Sequence, residues 1–111
     1  MMDEENFAQA IREVAEMLRD AEYAVAKTEA DVKRVIAKAM VEAEMNGNKT
    51  AAAQSRYADE SDLVYTTRLA HGVAKGQLAF AKAELKARET AFEHWRTKAA
   101  NLRMERKAYN A

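Results

Sequence analysis

Two histidines, His71 and His94, are the first residues to test for chemistry, because imidazole serves as base, acid or metal ligand near neutral pH. Three residues before them stand Arg68 and Ala91, so neither forms the Glu-x-x-His pair of a di-iron helical bundle. Glu89 and Glu93 are i,i+4 carboxylates beside His94, a spacing that could hold a metal across a dimer axis. The simpler account is a solvated face with salt bridges to Lys86, Arg88 or Lys98, and no metal is expected. Ser55 and Ser61 have no identifiable base, and the chain has no Cys to act as nucleophile. Its three glycines, Gly47, Gly72 and Gly76, form neither a dinucleotide fingerprint nor a phosphate loop. No catalytic residue and no cofactor is expected, and the chain does not read as an enzyme.

The elements carrying these residues follow from composition. The chain has 111 residues, which is room for one domain, 1–111. It has no Pro and no Cys, while 25 residues are Ala. That excludes disulfide frameworks, thiolate metal sites and most all-β architectures. Only 18 residues are Leu, Ile, Val or Phe, a level that signals disorder when net charge is large. Here 18 basic residues balance 18 acidic ones, so helices packed closely through Ala are expected instead. An opening of Met1-Met2-Asp3-Glu4-Glu5 lacks the basic start and apolar run of a secretory signal. With no 18-residue apolar segment, no membrane contact and a cytoplasmic location are expected, the host cytoplasm if the chain is phage-encoded.

Periodicity places the helices. Phe7, Ile11, Val14, Leu18, Ala21, Val25, Thr28, Val32, Val35 and Ala39 are spaced alternately four and three apart, a heptad seam on a helix from about 5 to 45. Asn46-Gly47-Asn48-Lys49-Thr50 ends it, with Gly47 suited to a left-handed cap and Asn48 or Thr50 to an N-cap. A connector with a short helix fills about 46–61, and Asp59-Glu60-Ser61-Asp62 offers capping groups for the next helix, about 62–108. Its seam reads Val64, Thr67, His71, Ala74, Leu78, Ala81, Leu85, Arg88, Phe92, Trp95, Ala99, Leu102, Arg106 and Tyr109. Two helices of matched length predict an all-α antiparallel hairpin, coiled-coil-like, in which Phe7 and Ile11 lie near Phe92, Trp95 and Ala99. On the seam, His71 is expected to bond a neighbour, and Arg88 to reach Glu16, Asp20 or Glu22. Six Met residues invite a reading as an adaptable binding surface, but Met17 and Met40 flank the seam and are better explained by packing.

The second helix carries another stripe. Leu69, Gly72, Val73, Gly76, Phe80, Ala83 and Ala87 lie nearly opposite His71, Leu78 and Leu85. Either the connector folds back over part of this face, or the stripe is an oligomer or partner interface, most simply a two-fold dimer forming a four-helix bundle. Gly72 and Gly76 indicate close packing rather than a membrane dimer motif.

Charge is segregated. Residues 1–47 hold 11 acids and 6 bases, and residues 48–111 hold 7 acids and 12 bases. An acidic helix pairing with a basic one accounts for this. Alternatively, Arg96, Lys98, Arg103, Arg106 and Lys107, interleaved with Trp95 and Tyr109 and facing only Glu105, are candidate nucleic-acid contacts.

Ala91-Phe92-Glu93-His94-Trp95-Arg96-Thr97, followed by Ala100-Asn101-Leu102-Arg103 and Glu105-Arg106, resembles the ending of small helical proteins encoded by phages and prophages. In those an aromatic-Glu-x-Trp-Arg-Thr/Ser segment precedes a basic tail. Thr50-Ala51-Ala52-Ala53-Gln54 is similar to their Thr- or Ala-rich connector. The resemblance covers about a third of the chain and assigns no activity to particular residues. Such genes often lie near single-strand annealing recombinases, single-strand binding proteins or exonucleases. It implies a non-enzymatic accessory protein that binds a second protein, either the recombination machinery or a host defence enzyme. A nucleic-acid-binding factor and a purely structural coiled-coil oligomer are the alternatives. The helical hairpins exported by type VII secretion carry Trp-x-Gly at the turn, which Asn46-Gly47-Asn48 does not match.

Overall fold

The computed structural model describes residues 3–110, so Met1, Met2 and Ala111 lie outside the described residues, as does the side chain of Asn110. Every regular element among the described residues is an α-helix: α1 (Glu4–Met45), α2 (Ala51–Asp59) and α3 (Asp62–Asn110). No described helix is long and apolar enough to cross a membrane.

Each boundary has a local cause. The Asp3 carboxylate accepts from the Asn6 amide at 3.0 Å, and Glu4 and Glu5 place negative charge at the positive end of the α1 dipole. At the other end Gly47 takes φ +95°. That conformation lets the Gly47 amide reach the Glu44 carbonyl at 3.1 Å and the Asn48 amide reach the Ala43 carbonyl at 2.9 Å, a Schellman closure. Thr50 starts α2 in an extended conformation, its hydroxyl accepting from the Ala53 amide at 3.1 Å. Ser61 starts α3, its hydroxyl accepting from the Val64 amide at 3.4 Å. Asp62 adds the first-turn acid.

The chain divides into two compact units, one made of Met1–Leu18 with Phe80–Ala111 and the other of Arg19–Ala79. In the first, Phe7 and Val14 of α1 and Ala81 of α3 are buried, while Ile11, Leu18, Leu85, Phe92, Trp95 and Ala99 are half-buried. Phe7 sits against both large rings of α3, 5.6 Å from Phe92 and 5.5 Å from Trp95, with Phe92 and Trp95 themselves 6.1 Å apart. In the second unit Ala39, Ala58 and Val64 form a buried cluster, and Val35, Ile36 and Met40 pack against it. One residue from each helix thus meets there, and two of the three are Ala, because a methyl side chain lets helices approach closely without leaving a void.

The periodic positions of α1 from Phe7 to Ala39 are all buried or half-buried, and so are those of α3 from Val64 to Ala99. Beyond Ala99 the expectation fails. Leu102 and Arg106 are exposed, and Tyr109 is 95% exposed. The α3 period continues there, but among the described residues no second helix lies alongside to cover it.

Candidate interaction surfaces

The polar residues of the seam are satisfied inside the protein. In the second unit the Thr28 hydroxyl lies 2.8 Å from His71 Nδ1 and 2.7 Å from the Ala24 carbonyl. A hydroxyl has one proton and the carbonyl has none. The Thr28 hydroxyl therefore donates to Ala24, and we assign the Nδ1 proton of His71 as the donor to Thr28. His71 is a core histidine bonded to its neighbour. Thr28→Ala should cost about 1 kcal/mol by denaturant titration. It should also move the His71 ring nitrogen shifts in an NMR spectrum, whereas Thr28→Ser should preserve both.

Arg88 belongs to the first unit, and its partner differs from those expected. Its guanidinium donates to the Ala10 carbonyl at 2.9 Å and lies 3.8 Å from the Glu13 carboxylate and 3.7 Å from Glu84. Glu16, Asp20 and Glu22 are not its partners. Phe92, one turn further on, packs on Phe7, so the register places Arg88 beside the turn holding Ala10 and Glu13. All three acids lie beyond that turn along α1.

The α3 stripe is uncovered in both units. In the second, Leu69 is 52% and Val73 60% exposed, with Gly72 and Gly76 also at the surface. In the first, Phe80 is 61% exposed, and Ala83 and Ala87 are exposed. The connector does not fold back over this face: Ala58 of α2 is buried instead against Ala39 and Val64. Tyr65, four residues before Leu69 and 62% exposed, extends the stripe. The sequence carried that signal in the i,i+4 run Tyr65, Leu69, Val73.

The basic end of α3 has its own geometry. Arg96 pairs with Glu93 at 3.3 Å and lies 5.7 Å over the Phe92 ring. Trp95 is engaged with Phe7 and Phe92. Lys98, Arg103, Arg106 and Lys107 are exposed and make no ion pair among the described residues. Among the described residues, the ion pair between α1 and α3 is Arg88 with Glu13; most of the others join neighbours on one helix. Pairing of the acidic helix with the basic one therefore leaves most of the segregated charge in solvent. On α1, the hydrogen bond from Lys27 to Asp31 and the charge of that carboxylate raise the Lys27 ammonium above its ordinary value.

Glu89, Glu93 and His94 are exposed. Among the described residues no group of three or more His, Cys, Asp or Glu side chains could hold a metal ion. Compared with known proteins, the chain matches no family model, no curated protein and no solved structure.

Proposed function

We propose that this chain is a non-enzymatic accessory protein of the phage type that acts by binding a second protein, and that the outer face of α3 is an association surface taken by a second copy of the chain, which leaves the loop at 46–62 or the charged helix ends for the second protein. The observation that carries this reading is the exposure of Leu69, Val73 and Phe80, each more than half open on a helix whose opposite side is packed. Large apolar side chains repeating along one helix face are characteristic of association surfaces. The resemblance of residues 91–106 to phage proteins favours a target in recombination machinery or a host defence enzyme.

The same reading takes the chain to be an antiparallel hairpin whose copies pair into a four-helix bundle. Contacts inside each unit support opposite helix directions. In the first, Phe7 meets Trp95 while the later Ala10 meets the earlier Arg88. In the second, Thr28 meets His71, and the later Val35 and Ala39 pack with the earlier Val64. Exposed Gly72, Gly76, Ala83 and Ala87 would allow a second copy to come close.

Light scattering after size exclusion, at two protein concentrations, tests the pairing. A dimer is expected, and Phe80→Asp should convert it to monomer with helix content unchanged, because Phe80 is 61% exposed. If Phe80→Asp leaves both oligomeric state and partner binding intact, the α3 face is not the contact.

A further inference from the structure

We infer that the last turns of α3 form a docking face for the phosphate backbone of double-stranded DNA. This face is separate from the apolar stripe, and its cations are Arg103, Arg106 and Lys107, with Arg96 at its edge. At 3.6 residues per turn these four lie within an arc of about 100° and span roughly 16 Å of helix. Ala99 and Ala100 lie between them along the helix. An open groove of about 540 Å³ runs along this side, lined by Trp95, Arg96, Ala100 and Arg103. Two carboxylates, Glu4 and Glu93, line the same groove, and Glu93 holds Arg96. Arg103, Arg106 and Lys107 are left with their charge unspent.

The surroundings choose among polyanions. A single strand needs aromatic platforms for its bases. Phe92 and Trp95 are stacked in the protein, which leaves Tyr109 as the free ring of this segment. A membrane surface needs a continuous apolar face beside the charges. Here Leu102 and Tyr109 are separated from Met104 by Asn101 and Glu105 around the helix. An acidic protein partner would need a large buried anchor, and the centre of this face is alanine. Duplex DNA asks only for a ridge of cations on a rod narrow enough for its groove. An α-helix of about 10–12 Å diameter fits a major groove of about 12 Å. The described residues from Ala100 to Tyr109 are all exposed, so the rod is accessible. Lys98 points to the other side of the helix and takes no part.

Fluorescence anisotropy with a labelled duplex of about 20 base pairs, over a salt series, tests this. Three phosphate contacts predict a slope of log affinity against log salt of about −3. The variant Arg103→Glu/Arg106→Glu/Lys107→Glu should lose at least about 100-fold in affinity at low salt. Circular dichroism and oligomeric state should not change, since none of the three is packed. Arg103→Gln/Arg106→Gln/Lys107→Gln should flatten the slope toward zero. Lys98→Glu should weaken binding far less than Arg103→Glu. The proposal is overturned by undetectable duplex binding, by undiminished binding in the triple variants, or by equal losses at Lys98 and Arg103. Tighter binding to a single strand or to phosphatidylserine vesicles overturns it as well. A monomeric Phe80→Asp protein that still binds duplex would separate this face from the α3 stripe.

Discussion

Replacing Phe7 by alanine is expected to cost about 3 kcal/mol of stability and to shift the emission of the single tryptophan to longer wavelength. Phe7 is 7% exposed, and its ring contacts both Phe92 and Trp95. Removing it deletes the central member of a three-ring cluster, so two aromatic contacts are lost with the buried area. Truncation of a buried Phe costs about 3–5 kcal/mol, and the lower end applies here because Phe92 and Trp95 are only half-buried and can close partly over the gap. Phe7→Leu keeps most of the volume and should cost roughly 1 kcal/mol. Urea titration gives the energies, and Trp95 fluorescence reports the site directly. A loss below about 1 kcal/mol with unchanged emission would mean that the cluster does not hold α1 and α3 together in this unit.

The helical nature of the chain was legible because 25 alanines and no proline leave the backbone little other choice. The packed face was legible from spacing alone: Phe7, Val14, Ala21 and Ala39 on α1, and Val64, Ala74 and Ala81 on α3, are buried and all lie on the 3-4 period. The limits of that signal are equally specific. Periodicity identifies a face but carries no information on whether anything lies beside it. Leu102 and Tyr109 therefore read as core in the sequence and are open in the structure. Register is a second limit. Arg88 was assignable to a partner acid, but choosing Glu13 over Glu16 requires knowing which turns are adjacent, and that is set by packing such as Phe7 on Phe92. The α3 stripe was legible as apolar, while its state was not, because the alternative depended on where α2 buries Ala58. Trp95 and Tyr109 read alike in the sequence and part company in the structure, one stacked and the other exposed.

The three consecutive residues Leu63, Val64 and Tyr65 offer a sharp test of the second unit. Val64 is 1% exposed within the cluster of Ala39 and Ala58, whereas its neighbours are 63% and 62% exposed. Val64→Asp should therefore cost at least about 4 kcal/mol, through loss of a buried Val side chain and burial of a carboxyl group among Val35, Ile36 and Met40. In a domain of ordinary stability, about 5–15 kcal/mol, a penalty of that size removes much of the margin for folding. Leu63→Asp, and Tyr65→Asp introduced into the monomeric Phe80→Asp protein, should each stay within about 0.5 kcal/mol, since an exposed site loses little. Both positions also lie near the α3 N-terminus, where negative charge is favoured by the helix dipole. The Val64→Asp penalty should depend on pH with a definite sign. Burial raises the folded-state pKa of the new carboxyl above its unfolded value of about 3.9. The folded state then retains a proton that the unfolded state has released, so the destabilisation is least near pH 4 and grows as pH rises toward 7. Thermal melts of the three variants at both pH values would decide the matter. Equal effects at 63, 64 and 65 would mean that the α3 seam is not the face packed against α1 and α2 in this unit.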